Sequence, residues 1–229
     1  MNAHIDLERA RFNMIEQQIR PWDVLDLEVL ALLSRMRRED FVPLSHKALA
    51  FVDMQIPLLG SAEDSLVNGQ CMLEPKVEAR ILQDLQVRKH HKVLEVGAGS
   101  GYMAALLAQR AQRVITLEIE PQLVRMARGN LQRAGIGNAE VREADGAKGL
   151  PAESPFDIIV LSGSVAEVPS ALLSQLKVGG RLAAIAGFEP VMRATFITRT
   201  GDTTFTTAQP WDTLAPRLAH FPEPSRFTF

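Results

Sequence analysis

The chain has 229 residues and a formal net charge of −2 at pH 7. That length suits one domain, and that charge excludes the strong basic field on which nucleic-acid binding relies. Hydrophobic residues make up 46% and charged residues 23%, which fits a soluble globular protein and excludes a disordered chain. The single cysteine, Cys71, excludes an internal disulfide and a cysteine-built metal cluster, and it points to a reducing compartment.

The first stretch, MNAHIDLERARFNMIEQQIRPWD, carries charges throughout and lacks the apolar centre of a secretory signal. No stretch approaches the roughly 18 apolar residues of a membrane span. A cytoplasmic protein without a membrane partner is expected. Residues 6–20 place Leu7, Met14, Ile15 and Ile19 among charges, which predicts an amphipathic helix ending at Pro21. Asp26 is positioned to cap a second helix, LEVLALLSRM. The stretch FVPLSHKALAFVDMQIPLLG is broken by two prolines and predicts turns with short helical or extended pieces. SAEDSLVNGQCML predicts a loop, and Pro75 opens a helix running to about Gln86.

From residue 91 the pattern changes. KVLEVG is a buried, β-branched strand, and a glycine-rich turn leads from it into a helix through Arg110. RVITLEI is a second strand. PQLVRMARGNLQRAG is a helix with proline at its start and glycine past its end. AEVREAD and FDIIVLSG are the third and fourth strands, PSALLSQLKVGG a helix, and RLAAIAG the fifth strand. Strands alternating with helices at this spacing predict a parallel sheet covered on both faces. The segments ATFITRT and TTFTT predict antiparallel edge strands, followed by proline-rich coil. The expected fold is therefore α/β, a Rossmann-like, doubly wound, mostly parallel sheet. Residues 1–90 form an N-terminal helical extension, 91–187 the core and 188–229 a β-rich tail, all within one structural domain.

In such a sheet the ligand lies beyond the carboxyl ends of the strands, so the turn Gly97-Ala98-Gly99-Ser100-Gly101 is the leading site. Its spacing is not the dinucleotide fingerprint, because Tyr102 stands where the third glycine belongs. No lysine follows in the manner of a P-loop. Glu95, two residues before the turn, would repel a pyrophosphate and favour an ammonium or sulfonium; its alternative is an exposed strand-end charge. Glu118, followed by Ile119, lies 21 residues after Gly97, near the spacing at which an acid accepts from ribose hydroxyls. Glu120 is its rival by adjacency. Asp145 could accept from an adenine amino group, with Gly146 allowing close approach; the alternative is an Asx turn. Acids ending three successive strands beside a glycine turn suit S-adenosylmethionine. Cofactor-binding candidates are therefore Glu95, Gly97, Ala98, Gly99, Ser100, Gly101, Glu118, Ile119, Asp145 and Gly146.

With these residues in place, the chain resembles the protein-L-isoaspartate O-methyltransferase family of class I S-adenosylmethionine-dependent methyltransferases. RFNMIEQQIRPWDVLDLEVLALLSRMRREDFVP is similar to that family's N-terminal pattern. ALAFVDMQIPL is similar to its A-Y-x-D-x-x-x-P segment, with Phe51 for the tyrosine and Asp53 retained. SPFDIIVLSGSVAEVPSALLSQLKVGGRLAAIAG resembles its fourth strand through its fifth, so the likeness covers roughly residues 9–187. The resemblance implies methylation of the free carboxylate of isoaspartyl residues in damaged proteins. The ester then collapses to a succinimide, a route back to aspartate. One segment departs. The family's G-Q-T-I-S-x-P is GQCMLEP here, with Cys71 for the threonine and Leu73 for the serine. In the family that serine hydroxyl lies near the methyl donor and the acceptor carboxylate, and Leu73 offers none. Cys71, Met72, Leu73 and Ser162 are thus candidates for the acceptor pocket, together with Ser164. The acceptor is expected to be a protein or peptide, or else a small-molecule acid or quinone-like compound; a non-catalytic S-adenosylmethionine-binding module is the further alternative.

The remaining residues carry less chemistry. Cys71 has no histidine near it in sequence and reads as a structural thiol. RKHHK before the first strand reads as a solvated basic loop, and no metal is expected. Met14, Met36, Met54, Met72, Met103 and Met126 read mostly as core.

Overall fold

The computed structural model of the protein describes residues 3–223. Helix α1 spans Ala3–Met14 and continues through a wider π turn, Ile15–Ile19, into a 3-10 turn, Arg20–Trp22. The expected helix is present, but it starts earlier and changes pitch before Pro21. The path ends at Asp23, whose φ of 59° reverses the chain. Helix α2, Leu27–Arg35, starts where Asp26 Oδ1 accepts from the amides of Glu28 and Val29, at 2.8 and 3.1 Å. That cap satisfies two of the free N–H groups at the helix start.

The segment expected to be a loop is more ordered than that. Ser61 caps a short helix α3, Ala62–Val67. Strand β1, Ile56–Pro57, pairs antiparallel with β2, Cys71–Met72. Ser65 is the buried anchor between them: its hydroxyl accepts from the amides of Leu58 and Leu59 and donates to the carbonyl of Gln70. The polar surface of α3 hides this one inward residue from a periodicity reading. Helix α4, Pro75–Leu85, begins at the proline and stops at Gln86, in the left-handed region.

The central sheet comprises β3 (Lys92–Val96), β4 (Arg113–Glu118), β5 (Ala139–Glu143), β6 (Phe156–Val165), β7 (Leu176–Phe188), β8 (Val191–Arg199) and β9 (Phe205–Thr213). Their order is β5-β4-β3-β6-β7-β8-β9. Pairs from β5 to β7 are parallel, while β8 and β9 are antiparallel additions. Helices α5 (Tyr102–Arg110) and α6 (Pro121–Arg133) supply crossovers. Two boundaries differ from the sequence reading. Strand β6 runs on to Val165, past the expected end at Gly163, which places Ser164 as well as Ser162 in the sheet. The helix expected over PSALLSQLKVGG shrinks to α7, Ser170–Leu173, and β7 starts at Leu176. Gly179 and Gly180 disfavour helix, and a side chain on Gly180 would meet the carbonyls of Lys177, Asp157 and Phe156 at 2.9–3.1 Å.

Successive side chains of a strand face opposite sides, and β3 shows the result. Val93 joins a cluster with α4, α5 and α6, while Leu94 and Val96 join a second cluster on the other face. Residues of the N-terminal region, Ile19, Leu33 and Phe41 among them, belong to the first cluster and cover that face of the sheet. A buried arginine ties the region together. Arg38 pairs with Glu78 of α4, donates to the Ala50 carbonyl at 3.1 Å and to the Leu73 carbonyl at 2.6 Å, and lies 4.9 Å from the ring centroid of Tyr102. Burial pushes the Glu78 carboxyl up to about 7 although Arg38 opposes it.

Candidate functional site

Strand order reverses between β3 and β6, because β4 and β5 extend one way and β7 the other. Ligands of open α/β sheets bind outside the carboxyl ends of the strands at that switch point. A cavity of about 160 Å³ lies there, between the glycine turn, the ends of β4 to β6, residues 68–71 and the C-terminal segment.

The turn is built to hold its backbone open. Gly97 has φ 91°, a conformation that L side chains rarely adopt. The amides of Gly97 and Ala98 donate to the Leu117 carbonyl at 2.9 and 3.2 Å, fastening the turn to the end of β4. Gly101 closes it by donating to the Ala98 carbonyl at 2.7 Å, and the Ser100 carbonyl accepts from Asn130 of α6 at 2.8 Å. Glu118, nearly buried, locks the same loop. One carboxylate oxygen accepts from Gly99 N at 2.8 Å, and the other from the amides of Ile119 and Glu120 at 2.9 and 3.0 Å. Glu120 instead caps α6, accepting from Gln122 N at 3.1 Å. Glu118 and its neighbour Ile119 both line the cavity.

Glu95 is 0% exposed, which excludes a mere strand-end surface charge. One oxygen accepts from Ser162 Oγ at 2.7 Å; the other is buried without a partner. Burial pushes this carboxyl up to about 8, with the Ser162 hydrogen bond working against the shift. Ser162 lines the cavity and stands at its wall with Glu95 behind it. Ser164 is buried; its amide donates to the Pro216 carbonyl at 2.7 Å, and its hydroxyl lies 3.3 Å from an Arg217 nitrogen.

Asp145 makes the Asx turn, its Oδ1 accepting from Ala147 N at 2.9 Å, and the residue lines the cavity. Its Oδ2 lies 2.9 Å from His220 Nδ1. The Ala147 amide, and after it His220, hold this carboxyl below its usual range. At Gly146 any Cβ would run into the Val96 side chain.

Residues 71–73 part company. Cys71 lines the cavity, its Sγ 3.5 Å from Gln55 Oε1. Burial, and then Glu74 and Glu78, push its thiol up to about 12, so the nucleophilic thiolate is not formed near neutral pH. Met72 and Leu73 are buried in the first core cluster, and Leu73 turns its carbonyl to Arg38.

The C-terminal segment was invisible to motif reasoning and is part of the site. Arg217, Leu218, Ala219 and Phe221 line the cavity. Leu218 N donates to the Ser164 carbonyl at 2.9 Å, continuing a parallel bridge between Ser164 and Arg217. The available signal was the recurrence of Leu214, Leu218 and Phe221 inside an otherwise proline-rich stretch.

The donor set suits a cationic nucleoside. Glu118, Glu120 and Asp145 line the cavity against one cation, Arg217, whose guanidinium is engaged by Glu223 at 2.7 Å and by the Gly187 carbonyl at 3.1 Å. This acidic lining suits a cation better than a pyrophosphate, while Glu95 lies behind Ser162 and outside the lining, and Gly146 is required by its packing on Val96. Among the described residues, no group of three or more His, Cys, Asp or Glu side chains could hold a metal, and no helix is long and apolar enough to cross a membrane.

Comparison with known proteins gives the family and the fold. The family model described as protein-L-isoaspartate(D-aspartate) O-methyltransferase (PCMT) matches residues 9–209. A protein-L-isoaspartate O-methyltransferase of Methanoculleus marisnigri is 40% identical over 179 residues, 78% of this chain and 78% of that protein. One of Syntrophobacter fumaroxidans is 37% identical over 183 residues, 80% of this chain and 82% of that protein. A solved protein-L-isoaspartate O-methyltransferase shares the fold with a TM-score of 0.75 at 23% identity, covering 93% of this chain and 65% of that longer one. The Plasmodium falciparum beta-aspartate methyltransferase (PCMT), crystallised with S-adenosyl-L-homocysteine, gives a TM-score of 0.71 at 17% identity, covering 92% and 96%. This chain belongs to the protein-L-isoaspartate O-methyltransferase family and is a methyltransferase.

Proposed function

We propose that the chain binds S-adenosylmethionine at the switch point and transfers its methyl group to the free carboxylate of an isoaspartyl residue in a protein substrate. The observation that carries this reading is the set of acids at the ends of β3, β4 and β5, namely Glu95, Glu118 and Asp145, placed around the Gly97–Gly101 turn. Glu95 answers the ammonium of the methionine part, Glu118 the ribose hydroxyls and Asp145 the adenine amine. Ala98, Ser100 and Ile119 shape the backbone between them.

S-adenosylmethionine supplies, when bound, a methyl group activated on a positively charged sulfur. An acceptor carboxylate with an ordinary pKa of about 4 is already ionised at neutral pH, so no side chain has to remove a proton. The work left to the protein is alignment and exclusion of water, and alignment contributes up to about 7–11 kcal/mol in favourable cases. Ser162 lines the cavity wall with its hydroxyl proton given to Glu95, so that its oxygen lone pairs are what it offers the cavity. The relatives named for isoaspartyl substrates support this acceptor class. The unpaired Cys71 supports a reducing, cytoplasmic setting.

The test is methyl transfer from S-adenosylmethionine to an isoaspartyl peptide, read as a base-labile methyl ester. Tight binding of S-adenosylhomocysteine without turnover rejects the acceptor assignment. One observation favours a second reading, a small-molecule acid as acceptor. Leu73 lies in the core, so residues 71–73 offer the cavity no side-chain hydroxyl. Comparison of metabolites in cells with and without the protein tests that reading.

A further inference from the structure

A second concavity lies at the opposite end of β3 from the glycine turn. This groove, of about 700 Å³, is bounded by the last turn of α2, the end of α5 and residues 86–89, which lead from α4 into β3. Its volume falls within the roughly 300–1,000 Å³ of ligand pockets. Three guanidiniums and one ammonium line it, those of Arg35, Arg88, Arg110 and Lys89, against the carboxylates of Asp26 and Glu28. Asp26 is already engaged as the cap of α2. Glu28 pairs with Arg110 at 3.0 Å, but its side chain is 80% exposed, so the pair is readily exchanged. Arg110 itself is only 17% exposed, and its Nε is buried without a hydrogen-bond partner. A buried donor left unpaired is destabilising, and an anion in the groove would supply the acceptor. Lys89 donates from Nζ to the Gln109 carbonyl at 2.7 Å, which holds it beside Arg110. Arg35 and Arg88 are exposed, and their side chains make no ion pair or hydrogen bond among the described residues. Cations at the ends of α2 and α5 also favour those helices through the helix dipole. The dipole does not account for Arg88 and Lys89, which belong to neither helix and face the same groove.

We infer that this groove is a binding site for a ligand carrying two or more linked phosphates, free or within a nucleotide, gripped by Arg35, Arg88, Lys89 and Arg110. A guanidinium fork matches phosphate oxygens two at a time, and three forks with an ammonium suit a chain of phosphates more than a lone carboxylate. The ligand displaces Glu28 from Arg110 and gives the buried Nε its acceptor. The acids lining the switch-point cavity repel the same ligand, so the two ends of the sheet sort cation from polyanion, a polarity that the net charge of −2 conceals. The site is independent of the cofactor reading above.

Titration calorimetry of the full chain with pyrophosphate, tripolyphosphate and ATP, with and without saturating S-adenosylhomocysteine, tests the site. Saturable binding of one phosphate ligand per chain is expected in the low-millimolar range or tighter, unchanged by S-adenosylhomocysteine. Equal affinity for tripolyphosphate and ATP shows that the phosphates suffice, and tighter ATP assigns part of the grip to the nucleoside; both uphold the site. Absence of saturable binding overturns it. So does displacement of tripolyphosphate by S-adenosylhomocysteine, because the phosphates then sit at the switch point. Arg35→Gln and Arg88→Gln alter exposed side chains, and each should weaken tripolyphosphate binding about threefold to tenfold. Arg110→Lys keeps the charge without the fork and should weaken it about threefold or more. Glu28→Gln should tighten it about twofold to fivefold, since the ligand no longer competes for Arg110. Unchanged affinity in the arginine variants, or unchanged or weaker affinity in Glu28→Gln, overturns the placement. Tighter binding of polyglutamate than of tripolyphosphate overturns the ligand class. Failure of S-adenosylhomocysteine to bind strikes the cofactor reading alone, and the phosphate titrations still decide the groove.

Discussion

Replacing Glu95 by glutamine removes the one carboxyl that burial raises furthest among those near the cavity. Its ordinary value is 4.5, and in the folded protein it is pushed up to about 8. Between those values the native protein keeps a proton that the unfolded chain has released. Stability contributed by the protonated group is therefore complete below about 4.5 and is lost as pH rises through about 8. A single retained proton gives a slope of about 1.4 kcal/mol per pH unit. From pH 5.5 to 7.5 the wild type should lose about 2–3 kcal/mol more than Glu95→Gln, whose amide keeps an acceptor for Ser162 and does not titrate. Glu78, also pushed up to about 7 by burial, contributes with the same sign in both proteins and cancels in the comparison. Urea unfolding at several pH values measures the difference. Equal slopes, or a wild type that gains on the variant as pH rises, would refute the burial argument. The same proton links to ligand binding. If Glu95 ionises to meet the cofactor ammonium, S-adenosylhomocysteine binding near pH 6.5 releases up to about one proton in the wild type and less in Glu95→Gln. Calorimetry in buffers of different ionisation heat reads that number.

Three other outcomes are expected. Glu118→Ala strips the Gly99, Ile119 and Glu120 amides of their acceptor; with hydrogen bonds to a charged group worth about 1.5–3 kcal/mol each, S-adenosylhomocysteine affinity should fall at least tenfold by titration calorimetry. Arg38→Met leaves Glu78 buried without its partner and releases the Leu73 carbonyl; chemical unfolding should show a loss of about 3–5 kcal/mol, part of it recovered when Glu78→Leu is added. Leu73→Ser opens a gap in the first core cluster and should cost about 2–4 kcal/mol. Because that side chain faces the core, methyl transfer to an isoaspartyl peptide should not rise in this variant; a marked gain would show that the 71–73 loop turns outward during catalysis.

Much of the architecture was legible in the chain because its causes are short-range. Asp26 caps its helix through amides two and three residues on, Pro75 starts a helix by lacking an N–H, and the β-branched run of β3 announces a strand buried on both faces. The glycine turn and the acids that follow each strand end were readable for the same reason. Parallel alternation of strand and helix places them together whatever the loops do. Sequence by itself left Glu120 as a rival to Glu118; both line the cavity, the first clamping the turn and the second capping α6.

Other features were decided by tertiary packing alone. Whether Leu73 faces the cavity depends on how Arg38, thirty-five residues away, grips its carbonyl. Glu95 acquires its shifted proton affinity from being sealed behind Ser162, sixty-seven residues later in the chain. The segment at 216–221 has no periodicity to mark it, and its place over the glycine turn comes from backbone hydrogen bonds to β6. Local sequence sets φ, ψ preferences and caps, because those energies involve neighbours in the chain. Side-chain facing, desolvation and long-range pairing depend on which distant surface fills the adjoining space, and only the closed sheet with its covering segments supplies that surface.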